Sequence, residues 1–519
     1  MQRKKLPIGI QTFAEIRKEN CYYVDKTPFA LRLIAEGKHY FLSRPRRFGK
    51  SLFLDTLKEL FEGNKALFSG LYAETQWNWD VRYPVIRMSL GARVVRTPEM
   101  LAEALHKQLS FLESRHGCPA TFSDAASRLA DLIEKLYERS GQRVVVLVDE
   151  YDKPILDNLS EPEMATTLRN VLRDLYAVLK DSDAYLKFVF LTGVSKFSKV
   201  SLFSGLNNLT DITIEANYSA ICGYTDGDVD TVFAPELEAL DRDQIRRWYN
   251  GYNWTGEAVY NPFDLLLLFR NRQFKSFWFE TGTPTFLVEQ LAQRQFFTPD
   301  LAQLQTSEAL LSSFDIDSMV PEALLWQTGY LTFQDVRQSP SGRRVYQLGY
   351  PNSEVEAALN ESLLQAWGPP PQPAFIARSR LDQALYDHDL PAVRDSLHAL
   401  FASIPHDWYR KNPLAQYEGH YASVFYSQLA SLGLNVQTED TTNKGQIDLC
   451  LRYGERIYLF EFKVVESEAE GLALQQLLQR GYAEKYRAKG IKITLIGIEF
   501  SRRERNLIAF ESCEDSGTA

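Results

Sequence analysis

Residues 40–55 read Tyr40-Phe-Leu-Ser-Arg-Pro-Arg-Arg-Phe-Gly-Lys-Ser-Leu-Phe-Leu-Asp55. The opening Tyr40-Phe-Leu-Ser is a short apolar run that predicts a strand. From Leu52 the apolar residues recur at helical spacing, which predicts an amphipathic helix. The loop between them closes on Gly49-Lys50-Ser51. Strand, loop ending Gly-Lys-Ser and helix together make a phosphate-binding arrangement. Gly49 lets the backbone approach a phosphate, and the amides of the following helix favour an anion. Lys50 reaches the β- and γ-phosphates, and Ser51 is placed to ligate Mg²⁺. The full pattern has a further glycine at its first position, where this chain has Arg44. A helix cap with a basic face would give the same residues.

Downstream, Val144-VVLVDEYDKP is an apolar run ending in Asp149-Glu150. This is the Walker B form. Asp149 would hold Mg²⁺, and Glu150 would orient and deprotonate the attacking water. A strand running into a solvated loop is the alternative, and the order after Gly-Lys-Ser favours the nucleotide site. A third run, Phe188-VFLTGVSKFS, ends in Thr192 and Ser195. Either is placed to sense the γ-phosphate or simply to cap the strand. Short strands alternating with helical patterns predict a parallel α/β sheet over residues 1–234.

Leu6-PIGIQTFAEIRKENCYYVDKT, Ser43-RPRRFGKS, Val148-DEYDKP, Thr192-GVSKFS, Gly205-LNNLTDIT and Cys222-GYT resemble the bacterial AAA-ATPase-like family whose members carry a C-terminal PD-(D/E)XK nuclease-like domain. The resemblance implies a P-loop NTPase (AAA-like) parallel sheet in the front half. It implies that Arg44 belongs to the family's own form of the loop. Arg46 and Arg47 would then neutralise phosphate or face a partner chain.

The C-terminal segment carries a second chemical set. Gln446-Ile447-Asp448 starts one apolar strand, and the next contains Glu461-Phe462-Lys463. Alternate strand residues share a face, so Glu461 and Lys463 point the same way. Asp448 and Glu461 would hold Mg²⁺, with the carbonyl of Phe462 as a third ligand. Lys463 would orient water or stabilise the charge that develops on the phosphate. Upstream, Glu418 lies in a helix (Leu414–Leu432) where this fold supplies another acid. Downstream, a helix is expected from about Ala469 to Ala488 and a last strand at Lys492-ITLIGIEF; within the helix, Ala473-LQQLLQRGYAEKY resembles the family's Q-x₅-Y helix, which puts Gln476 near the metal and gives Tyr482 a structural role. The order is α-β-β-α-β, a restriction-endonuclease-like α/β domain. A structural Glu461–Lys463 pair is the bland alternative.

Residues 235–400 show leucine-rich helical spacing, with strand signals near Tyr330–Leu348, and Trp367-GPPPQP reads as a linker or rigid bend. Three parts are expected: 1–234, a helical middle 235–400, and 401–519. The chain has 519 residues, 45% hydrophobic and 24% charged, which excludes disordered and fibrous classes. The formal charge of −9 excludes a uniformly basic coat. Basic charge concentrates instead over Lys38–Lys50 and Gln475–Arg505. Five cysteines without CxxC spacing suit a reducing cytoplasm, and no run approaches a membrane span. The sequence thus predicts an ATP- and Mg²⁺-using ATPase coupled to a nuclease acting on nucleic acid, DNA first. A homo-oligomer completed in trans by an arginine, from among Arg246, Arg247, Arg270 and Arg272, is compatible with it. The rival is a nucleotide-dependent assembly switch whose C-terminal domain binds without cutting.

Overall fold

The computed structural model describes residues 3–196, 208–278, 288, 291, 298–311, 320–367, 371–404, 418–442, 445–487 and 491–515, with the backbone alone at 367, 371–375, 418–420, 439–442, 445 and 446. The chain divides into two compact units, residues 1–282 with 305–352, and residues 283–304 with 353–519. The segment 235–400 contributes to both.

In the first unit, β1 (His39–Ser43), β2 (Val85–Ser89), β3 (Val144–Asp149), β4 (Leu186–Gly193) and β5 (Thr210–Asp211) form one sheet in the order β2-β3-β4-β1-β5. Every pair is parallel. All residues of β1 and β3 are buried, as expected for strands covered on both faces. The strands of the Gly-Lys-Ser loop and of the acid pair are not neighbours, because β4 lies between them. All three release their loops at the same carboxyl edge, where open α/β sheets bind ligands. The helices Pro98–His116 and Ala125–Ser140 are capped by the side chains of Thr97 and Asp124 and closed by left-handed Gly117 and Gly141. A smaller sheet, β6 (Leu304–Ser307), β7 (Thr332–Gln338) and β8 (Arg344–Gly349), runs in the order β6-β8-β7.

The second unit holds β9 (Asn435–Thr442), β10 (Gly445–Tyr453), β11 (Arg456–Val465), β12 (Lys492–Ser501) and β13 (Asn506–Glu514), ordered β13-β12-β11-β10-β9. Only β11 and β12 pair in parallel, and the helix Leu472–Arg480 crosses between them. The expected α-β-β-α-β order therefore gains a strand before β10 and another after β12. The single helix expected to about Ala488 ends at Arg480, where Gly481 turns left-handed, and resumes as Glu484–Arg487. The upstream helix is described from Glu418 to Ala430. The proline-rich stretch is only partly linker, because Pro371 opens the helix Pro371–Tyr386. Proline is tolerated in a first turn, where its missing N–H had no partner.

Candidate functional site

Gly49 adopts φ +93°, which returns the chain from the loop into the helix Lys50–Phe61. A residue with a Cβ would be strained there. Lys50 is buried, and its Nζ donates to the carbonyls of Arg44 at 2.8 Å and Pro45 at 2.9 Å. Burial lowers its pKa, and the negative charge of Asp149 opposes that shift. Arg44, at the position where the general pattern has glycine, is 0% exposed. Its guanidinium donates to the carbonyls of Ser43 (2.8 Å), Thr213 (2.9 Å) and Tyr218 (3.0 Å) and lies 3.9 Å from the ring centre of Trp254. Burial brings its pKa down to about 10. Arg44 is thus a strut that ties the start of the loop to neighbouring segments and does not face the cleft. Phe48 packs edge-on against Tyr252 and Trp254, Pro45 lies under Gly329, and Trp278 donates to the carbonyl of Arg46. Tyr252 and Trp254, in the aromatic run Trp248–Trp254, thus seat this loop.

Arg46 and Arg47 are exposed and line a cleft of about 350 Å³ together with Gly49, Lys50, Ser51 and Glu150. Arg47 sits at φ +69° with its guanidinium 4.9 Å from the ring centre of Phe263. Asp149 is buried, and its Oδ1 accepts a hydrogen bond from the Thr192 hydroxyl at 2.9 Å. The intervening position of β4 puts Thr192 there. Glu150 takes a left-handed φ of +51°, and burial, helped by the charge of Asp149, raises its pKa. Ser195 is fully buried and does not line the cleft. Its amide and hydroxyl both donate to Asp152 Oδ2, at 2.6 Å each. Asp152 thereby fixes the turn after β4, and Thr192 is the polar group of β4 that reaches the acid pair.

In the second unit, the β10–β11 register sets Leu449 opposite Phe460. Asp448 and Glu461 are the residues next beyond that pair. Asp448 Oδ2 accepts from the amide of Phe462 at 2.7 Å. Glu461 is 1% exposed, its carboxylate accepts from the Gln476 amide, and Lys463 Nζ stands 3.6 Å from Glu461 Oε1. Four of the expected residues therefore converge. Glu418 begins its helix, and its side chain lies outside the described residues, as does that of Gln446. Among the described residues no group of three or more His, Cys, Asp or Glu is arranged to hold a metal ion. Two carboxylates with a flanking backbone carbonyl are nevertheless the hard oxygen donors that Mg²⁺ takes, often with water and substrate oxygens completing its shell.

A family described as "Predicted AAA-ATPase" matches residues 7–203, and the PD-(D/E)XK nuclease superfamily matches residues 416–510. An "Uncharacterized protein in vnfD 5'region" from Azotobacter chroococcum mcd 1 is 57% identical over 511 residues, covering 98% of this chain and 99% of that one. The chain belongs to this AAA-ATPase-like family. It joins an ATPase-like domain to a nuclease-superfamily domain, and both fold classes are those the sequence implied.

Three residues of this AAA-ATPase-like chain escaped the reading of its sequence. Glu499, 1% exposed on β12, accepts from the amides of Glu470 (2.6 Å), Leu472 (2.6 Å) and Ala473 (3.4 Å). It caps the helix that carries Gln476, a helix whose own N-cap, Gly471, has no side chain to do so. Gly497, the register partner of Glu461, lets that helix lie directly on β12, since a Cβ there would sit 2.2 Å from Leu474 N. An isolated glycine in the apolar run Ile493-TLIGIEF was the available signal of close backbone approach. Gly91 follows β2 and lines the cleft that Lys50 and Ser51 enter, and no sequence signal marked it. Of the arginines considered for action in trans, Arg246 pairs with Asp226 and Asp243, and Arg272 pairs with Glu236. Among the described residues no helix is long and apolar enough to cross a membrane.

Proposed function

We propose that the protein binds and hydrolyses ATP in the first unit and uses that cycle to control a Mg²⁺-dependent nuclease in the second, acting on DNA in the cytoplasm. Residues 1–234 would bind nucleotide, 235–400 would form the helical middle, and 401–519 would cut. The observation that carries the reading is the convergence of Lys463 and Gln476 on Glu461 beside Asp448, in a chain that also sets Lys50, Ser51 and Glu150 around one cleft.

The chain's own residues supply most of the chemistry. In the nucleotide cleft, Lys50 exchanges the carbonyls of Arg44 and Pro45 for phosphate oxygens, which answer its charge better. Arg46 and Arg47 face the same cleft and offset further phosphate charge. Glu150 takes the proton of the attacking water, and Thr192 holds the Asp149 carboxylate in place. In the nuclease cluster, Gln476 fixes the rotamer of Glu461. Lys463 orients water and offsets the charge that builds on the scissile phosphate. Ser51 and Asp149 in one site, and Asp448 and Glu461 in the other, would hold Mg²⁺, which would supply charge neutralisation and lower the pKa of bound water.

The test incubates the full chain with single- and double-stranded DNA and RNA, Mg²⁺ and ATP, beside Asp448→Ala and Lys50→Ala. Cleavage lost in Asp448→Ala and altered in Lys50→Ala is expected. Equal products from wild type and Asp448→Ala would overturn the nuclease assignment. ATP-dependent oligomer size without any cleavage would replace it with an assembly switch.

A further inference from the structure

We propose that Gly91 is a positioning residue for Glu150 in nucleotide hydrolysis, an inference that rests on the reading of the cleft as an ATPase site. A Cβ built on Gly91 would lie 2.1 Å from Glu150 Oε2 and 2.7 Å from its carboxyl carbon. The carboxyl group therefore lodges in the space that any other residue at position 91 would fill. Both residues line the cleft that Lys50 and Ser51 enter.

The niche is built rather than incidental. Gln108 holds the end of β2 through both backbone groups of Ser89, donating to its carbonyl and accepting from its amide at 2.8 Å each. The amide of Leu90 donates to the carbonyl of Asp149 at 3.1 Å, which fixes residue 90 beside the acid pair. The amide of Gly91 donates to Ser89 Oγ at 3.3 Å. On the other side, Glu150 takes a left-handed φ of +51°, a conformation disfavoured for a residue with a side chain. Such geometry persists where the surroundings hold it, and it clusters at functional sites. The strained turn throws the Glu150 side chain toward the end of β2, and Gly91 receives it.

The physical consequence separates this glycine from one that serves the backbone. Gly91 is not among the residues with positive φ, so alanine fits its conformation. The added methyl would meet the far end of a flexible side chain, and the carboxylate would move while the fold stays. A displacement of the order of 1 Å in a catalytic group costs on the order of a hundredfold in rate.

The experiment uses the full chain as wild type, Gly91→Ala, Glu150→Asp, Gly91→Ala/Glu150→Asp and Glu150→Gln. Steady-state ATP turnover is measured, and nucleotide affinity with a fluorescent ATP analogue. Gly91→Ala is expected to lower kcat by at least tenfold, with nucleotide affinity within threefold of wild type. The shorter aspartate clears the methyl, so the double variant should lose less than the product of the two single losses. A kcat within twofold of wild type in Gly91→Ala, or a loss of nucleotide affinity as large as the loss of kcat, overturns the inference and leaves the ATPase reading standing. A wild type without turnover overturns the ATPase reading and the role of Gly91 with it.

Discussion

Replacing Arg44 tests whether the nucleotide loop owes its shape to a buried cation. Its guanidinium makes three hydrogen bonds to carbonyls and stacks on Trp254. Charge-assisted hydrogen bonds contribute about 2 kcal/mol each and a desolvated cation–π contact about 2 kcal/mol, a gross gain of roughly 8 kcal/mol. Against this stands the cost of burying the charge. Burial lowers the folded-state pKa to about 10, which corresponds to about 3 kcal/mol. The net is about 5 kcal/mol, so Arg44→Ala should destabilise the first unit by roughly 3–5 kcal/mol, because three carbonyls lose their donor. Arg44→Lys should lose about 2 kcal/mol or more, since an ammonium cannot reproduce the planar fork. Arg44→Gly restores the general pattern of the loop, yet it should lower nucleotide affinity as much as Arg44→Ala does, because Lys50 is held by the carbonyls of Arg44 and Pro45. The sign of the pH effect follows from the depressed pKa of a base. From about pH 10 up to the ordinary arginine range the unfolded chain binds more protons, so the contribution of Arg44 to stability changes only there, rising with pH, and is constant below it. Urea unfolding followed by tryptophan fluorescence provides the measurement, with a midpoint shift on the order of 1 M expected for Arg44→Ala. An Arg44→Gly protein with wild-type midpoint and wild-type nucleotide affinity would refute the reasoning.

Three further outcomes follow from named groups. Glu150 must be ionised to act as a base and its pKa is raised, so ATP turnover should fall as pH drops through a value above the ordinary carboxylate range; an acid limb that persists in the residual activity of Glu150→Gln would assign it elsewhere. Burial raises the pKa of Glu356 to about 7 from 4.5, while the Tyr426 hydroxyl donates to it at 2.9 Å. The native state then binds the proton more tightly, so stability is full below about pH 4.5 and is lost as pH rises to 7, by at most about 3 kcal/mol for this half-buried group; Glu356→Gln should flatten that slope in urea melts at both pH values. Gly497→Ala should destabilise the second unit by 1–3 kcal/mol or more through overpacking, read as a lowered melting temperature, and an unchanged one would show that the helix Leu472–Arg480 has room to retreat.

Legibility in the sequence followed burial. The interior strands β1, β3, β4, β10, β11 and β12 stood out as apolar runs because both faces are covered. The strands that escaped notice lie at sheet edges. Asn435-VQTEDTT has almost no apolar residue, and Val85-IRMS is interrupted by Arg87, whose guanidinium pairs with Asp55. Edge strands carry polar residues because one side meets water, so hydrophobic patterning cannot find them. The Gly-Lys-Ser loop, the Asp149–Glu150 pair and the Asp448, Glu461, Lys463 and Gln476 set were legible because the spacing is short and local. Ser195 misled for the opposite reason. A hydroxyl just past a strand end looks available until a tertiary partner, Asp152, is known to take it. Arg44 was visible as a departure from the pattern, but its partners Thr213, Tyr218 and Trp254 are distant in sequence, so its role as a strut was not.

Both sites depend on a missing side chain, and the atom each glycine faces decides what its loss would mean. At Gly91 the nearest atoms belong to the carboxyl end of Glu150, which can rotate away. At Gly497 they are the amide and Cα of Leu474, inside a helix whose N-terminus is fixed by three hydrogen bonds to Glu499. The helix can leave only by giving up those bonds, which are worth more than a rotamer change. A methyl at position 91 therefore acts on chemistry and spares the fold, whereas a methyl at 497 acts on the fold and moves Gln476 off Glu461 as a result. In the first site the glycine shapes a niche for the Glu150 carboxylate. In the second it sets the distance between the helix that carries Gln476 and β12, the neighbour of the strand that bears Glu461. A search for chemistry-bearing residue types finds neither, because what each position contributes is the space of an absent side chain, beside a carboxylate at Gly91 and beside a helix backbone at Gly497.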